Sequence, residues 1–100
     1  MAELTVIWWR DIPAQVMARS GRDRSRVQLS DRFQEAIDVA ATRVGLIGTD
    51  EYMAEWHKVA RPCGDELEAE VKTETERLEL EFTDEMLDEL SKTGGLREVT

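Results

Sequence analysis

A single cysteine, Cys63, leaves the chain no partner for an internal disulfide and no Cys-x-x-Cys pair for zinc or redox work. The single histidine, His57, stands in Trp56-His57-Lys58 with no nucleophile or carboxylate patterned beside it, so it reads as a surface residue of a helix. No apolar run approaches the roughly 20 residues of a membrane-spanning helix, so no membrane partner is expected. Met1-Ala2-Glu3 lacks the basic start and apolar stretch of a secretory signal. With the lone thiol, that points to a reducing, cytoplasmic setting. There is no glycine-rich phosphate loop, and the acids fit no EF-hand spacing. No catalytic residue, resident cofactor or metal site is therefore assigned.

What the chain has in quantity is negative charge, unevenly placed. Residues 63–100 carry 13 acids against four bases, and residues 1–62 are neutral overall. Inside the neutral part Arg19, Arg22, Arg24, Arg26 and Arg32 cluster. Arginine suits carboxylate or phosphate, so an alternative reading is a small ligand-binding protein or enzyme that uses the Arg10–Arg32 surface for an anionic or phosphorylated ligand. Nucleic-acid binders usually carry a basic excess, and a net charge of −9 argues against that class.

The elements follow from periodicity. Glu3–Trp9 predicts a strand apolar on both faces, which needs cover on both. Pro13 cannot donate to a ladder, so residues 11–14 read as a turn and Gln15–Arg19 as a second strand. Arg24–Leu29 is a third, short strand. Ser30 caps a helix whose face is Phe33, Ala36, Ile37, Ala40, Ala41 and Val44, closed by Gly45. Thr49 caps a second helix running to Ala60, with Pro62 as its stop. Asp65 and Glu68 form a capping-box pattern ahead of Leu67, Val71, Thr75, Leu78 and Phe82, a narrow apolar stripe on an acidic helix. Thr83 can restart a last helix carrying Met86, Leu87 and Leu90, though one helix over 66–91 fits as well. The expected fold is α+β. A small antiparallel sheet of two or three strands over residues 3–29 packs on helices 31–44 and 50–60. An acidic helical segment then follows from residue 63, either part of the same domain or a partner-docking piece.

Two surfaces are candidates for binding. The first gathers Trp8, Trp9, Arg10, Asp11, Pro13, Gln15, Arg19 and Arg22, because tryptophan is enriched among interface hot spots and Arg10 and Arg19 supply charge. The second is the stripe Leu67, Val71, Leu78, Phe82 and Met86, thin for a helix that must also hold a small domain and so suited to a groove on another protein.

Ile7-Trp8-Trp9-Arg10-Asp11-Ile12-Pro13-Ala14-Gln15-Val16, Arg32-Phe33-Gln34-Glu35-Ala36-Ile37-Asp38 and Gly48-Thr49-Asp50-Glu51-Tyr52-Met53-Ala54-Glu55-Trp56 resemble a small bacterial family labelled virulence factor, over about residues 3–62. The acidic tail lies outside that resemblance. In some members, called conserved virulence factor C, a similar domain accompanies HEAT repeats. Stand-alone versions are similar to small proteins encoded near folate-linked and corrinoid one-carbon enzymes, including methylenetetrahydrofolate reductase-like proteins. The resemblance implies an accessory subunit in a hetero-oligomer, with any folate or flavin bound by the larger partner. It carries over no catalytic residue.

Overall fold

The structure is a computed structural model that describes residues 2–97. In chain order it contains β1 (Glu3–Trp9), β2 (Ile12–Ser20), β3 (Asp23–Gln28), α1 (Asp31–Arg43), α2 (Asp50–Ala54), β4 (Trp56–Pro62), α3 (Leu67–Glu81) and α4 (Asp84–Lys92). The sheet is antiparallel with order β3-β2-β1-β4. The α+β class stands, with four strands where two or three are expected.

The fourth strand corrects the expected helix over residues 50–60. Thr49 does cap a helix, accepting the Tyr52 N–H at 3.3 Å, but that helix stops at Ala54. The chain then runs extended along the free edge of β1, from Glu3 opposite Pro62 to Trp9 opposite Trp56. Without β4, one side of β1 would lack ladder partners, and unpaired backbone groups in a packed element are costly. Long-range pairing overrides local helical pattern here. His57 is accordingly an exposed strand residue, not a helix residue.

Pro13 also departs from expectation. The turn shrinks to Arg10-Asp11, and Pro13 lies inside β2, buried opposite Trp8. The register steps from Ile7–Gln15 to Trp8–Pro13, leaving Ala14 as a bulge, the kind of place where a strand accommodates proline. The Ala14 carbonyl accepts the Leu29 N–H at 3.0 Å, tying the exit of β3 to β2. Arg10 has φ of 53°, the only positive φ outside glycine among the described residues.

Leu4, Val6 and Trp8 share one face of β1 with their cross-strand partners Val16 and Ala18, and this face receives the helices. α3 lies across β2 and β3, while α1 packs along α4. α3 buries Leu67, Val71, Glu74 and Leu78. The acidic segment breaks after Glu81. Phe82 is buried, and Thr83 begins α4 by accepting the Met86 N–H at 3.1 Å, so two helices form, not one. The Asp65–Glu68 capping box does not form, since the N-cap is Glu66 and makes no side-chain cap bond. Ser30 makes no side-chain cap bond to α1 either. Its N–H and hydroxyl both donate to the Glu79 carboxylate at 2.8 Å. One core cluster runs from Ala2 to Leu90, spanning the neutral and acidic regions. No helix is long and apolar enough to cross a membrane among the described residues.

Glu74 is the buried charge of this interface, its side chain 8% exposed. It accepts two bonds from Arg77, at 2.7 and 2.8 Å, and faces Arg61 of β4 at 3.8 Å. The Arg77 hydrogen bonds hold its carboxyl below the usual range, outweighing burial. A depressed folded pKa contributes stability above the unfolded value of about 4.3, and that stability is lost as pH falls through the folded value. Glu74→Gln should therefore destabilise the chain by about 1–2 kcal/mol at pH 7, with the deficit shrinking as pH falls below the unfolded value of about 4.3, as read by urea unfolding from neutral to acid pH.

The segment after α4 closes the base of the sheet. The Asp11 N–H donates to the Gly95 carbonyl at 2.8 Å. Gly95 has φ of 87°, and a Cβ there would sit 2.8 Å from Cζ3 of the Trp9 ring. Gly21, in the β2–β3 turn, has φ of 59° with open space around it. Both positions disfavour alanine through the backbone, but only Gly95 adds a clash in a packed core. Gly95→Ala should cost more than about 2 kcal/mol and Gly21→Ala about 1 kcal/mol, so their thermal midpoints should differ by several degrees in calorimetry.

Candidate functional site

The tryptophan pair divides between the two faces of β1. Trp8 turns toward the helices, its ring 6.0 Å from Phe82 at 60°. Trp9 is fully buried, its indole N–H donating to the Tyr52 carbonyl at 3.0 Å and its ring 5.7 Å from that of Tyr52. Trp9 is thus a core residue and has no surface to offer a partner. Pro13 is buried too. Trp8, Arg10 and Asp11 meet His57 and Arg97 around a recess of about 370 Å³ at the base of the sheet. The charged groups there serve the fold. Arg10 donates to the Gly94 carbonyl at 2.9 Å and faces Glu55 at 3.4 Å, and Asp11 accepts the Arg97 N–H at 2.7 Å.

The arginines of the Arg10–Arg32 stretch do not form one surface. Arg32 points the other way, into the junction of α3 and α4, donating to the carbonyls of Glu79 and Phe82 and to the side chains of Glu79 at 3.0 Å and Asp84 at 3.2 Å. Arg22 lies exposed at the tip of the β2–β3 turn. Gln15 and Arg19 lie on the sheet face away from α3.

The docking stripe is corrected as well. Leu67, Val71, Leu78 and Phe82 are buried in the chain's own core, and Met86 is half-buried against it. α3 spends its apolar side on β2 and β3, which leaves that stripe nothing to offer a groove elsewhere. Leu80, on the opposite side of α3, is 81% exposed.

Apart from the end sealed around Trp9, the sheet face away from α3 is left uncovered. Arg24 and Arg26 of β3, Arg19 and Met17 of β2, and Lys58 of β4 border a concavity of about 380 Å³. Thr5, Ala60 and Glu3 extend its floor toward β4. Among the described residues no carboxylate lies within 4.0 Å of Arg24, Arg26 or Lys58, and Arg19 meets Glu3 at 3.9 Å. The expectation that β1 needs cover on both faces holds at Trp9, which is sealed by Tyr52 and Gly95, and fails toward Glu3. Ile7 and Thr5 are only half-buried, and Thr5 lines an open concavity. The arginines are legible in the sequence, but Met17 and Lys58 are not, since the helical pattern over residues 50–60 puts Lys58 on a helix. The available signal was Trp56 and Val59 in a short run ending at Pro62, which suits an edge strand.

Cys63 lies where the sheet gives way to α3. Burial, then the Glu70 charge, pushes its thiol up, so it is not an activated nucleophile. Among the described residues no group of three or more His, Cys, Asp and Glu side chains is arranged to hold a metal ion.

No curated protein and no solved structure matches the chain. The family model described as virulence factor matches residues 7–90. That span reaches well past residue 62 and takes in α3 and most of α4, so most of the acidic segment lies within the match and not outside it. With most of its length matched, from the Trp8–Trp9 strand into the last helix, the chain belongs to the virulence factor family.

Proposed function

We propose that the chain is a non-catalytic interaction subunit of a larger enzyme and that it meets its partner through the uncovered sheet face. The observation that carries this reading is a set of four cations, Arg19, Arg24, Arg26 and Lys58, around Met17 on a chain whose net charge is −9. Arginine and methionine are enriched at protein interfaces, and an apolar floor rimmed by charge is the usual anatomy of a contact patch. Residues assembled for covalent or acid–base chemistry are not what this face presents. The similarity to proteins encoded near folate-linked and corrinoid one-carbon enzymes makes a methylenetetrahydrofolate reductase-like enzyme the first partner to test. Folate or flavin belongs to that partner, and the assembly is a cytoplasmic hetero-oligomer.

Gel filtration of the chain mixed with the purified reductase-like enzyme of the same cell should give co-elution. Arg24→Glu with Arg26→Glu should weaken the complex at least tenfold, about 1.4 kcal/mol, while leaving the thermal midpoint of the isolated chain within a few degrees. Elution of the two proteins as separate peaks at micromolar concentration, together with purification of the chain alone at endogenous levels, overturns the reading.

A further inference from the structure

Register alone lays three rows across the open face. Arg24, Arg19, Glu3 and Pro62 form one, Arg26, Met17, Thr5 and Ala60 the next, and Gln28, Gln15, Ile7 and Lys58 the third. Rows on one face are two residues apart, about 7 Å, and three strand spacings separate β3 from β4 by about 14 Å. The cations therefore occupy the margins. Arg24 and Arg26 stand along the β3 edge, Arg19 beside them, and Lys58 on the β4 edge. The middle is Met17, Thr5 and Ile7. Side chains from both edges reach over Met17, because Arg24, Arg26 and Lys58 border the same concavity.

We infer that this face receives an extended acidic segment of the partner protein, with carboxylates on both sides of one apolar side chain. This rests on the interaction-subunit reading and gives it a partner chemistry. The argument is charge complementarity and span. Acidic residues four apart on an extended chain lie about 13 Å from each other, and the long side chains of Arg26 and Lys58, about 16 Å apart along the diagonal of the sheet, can close on such a pair. Arg24 and Arg26 can hold a carboxylate bidentately, and Lys58 supplies a point charge at the far side. Met17, unbranched and adaptable, forms a floor for an apolar side chain between them. A single nucleic-acid strand needs rings to stack its bases, and these rows contain none. A small phosphate held by Arg19, Arg24 and Arg26 would leave Lys58 and the apolar centre unused.

The test is a fluorescein-labelled peptide with the core Glu-Glu-Thr-Leu-Thr-Glu-Glu, titrated onto the full chain by fluorescence anisotropy. Binding is expected, weakened at least tenfold by Arg24→Glu with Arg26→Glu, at least threefold by Lys58→Glu alone, and also by replacing the peptide's leucine with serine. If the double variant unfolds, Lys58→Glu on the opposite edge decides the matter. The inference is overturned by absence of binding, by indifference to Lys58→Glu, or by equal competition from pyrophosphate or a single-stranded oligonucleotide. It is also overturned if the chain dimerises through this face, seen as a dimer in gel filtration that the double variant abolishes. Co-elution with the reductase-like enzyme without peptide binding sinks this inference and leaves the subunit reading intact. Peptide binding without co-elution has the reverse meaning.

Discussion

Two helix ends meet at Arg32 and Glu79, and each residue satisfies the other helix. Glu79, near the end of α3, accepts the Ser30 N–H and hydroxyl where α1 begins. Arg32, in the first turn of α1, donates to the Glu79 and Phe82 carbonyls where α3 ends. A helix leaves its first N–H groups and last carbonyls without internal partners, and here the two ends supply them reciprocally. Burial opposes the Glu79 charge, yet the Ser30 and Arg32 hydrogen bonds keep its carboxyl below the usual range. The neutral and acidic regions are thereby joined through one set of bonds. The break after α3 follows, with Phe82 set against Trp8 on one side and Phe33 on the other.

That junction also sorts the cations. Arg32 is consumed in it, Arg10 by the base of the sheet, and Arg61 and Arg77 by the buried Glu74. The sequence contains a run of arginines that looks uniform, but their tasks differ. Arg19, Arg24 and Arg26 alternate outward along β2 and β3, and Lys58 joins them only because β4 closes on β1. The helices α3 and α4, by contrast, carry ten acids, most of them exposed. The result is a dipolar molecule, basic on its open sheet and acidic on its helices, and such asymmetry governs encounter with partners more than stability.

Much of the fold is legible in the residues. The apolar run of β1, the 3.6-residue face of α1 and the Thr49 and Thr83 caps are local signals, and local physics honours them. β4 is not legible in that way. Residues 56–62 are exposed or half-buried at nearly every position, so no alternation marks them as a strand. Their conformation comes from the edge of β1 some 50 residues earlier. The candidate site was half legible for the same reason: its arginines sit on strands that periodicity predicts, while Lys58 sits on the strand it does not.

Sequence alone determined which segments are apolar, where helices can begin, and that charge is divided between two regions, because propensity, capping and composition act within a few residues. Tertiary structure decided which tryptophan is sealed, that the acidic stripe is spent on the chain's own sheet, and that one face stays open. Those outcomes depend on which distant groups satisfy each other's hydrogen bonds and bury each other's surface, and no short window of residues contains both partners.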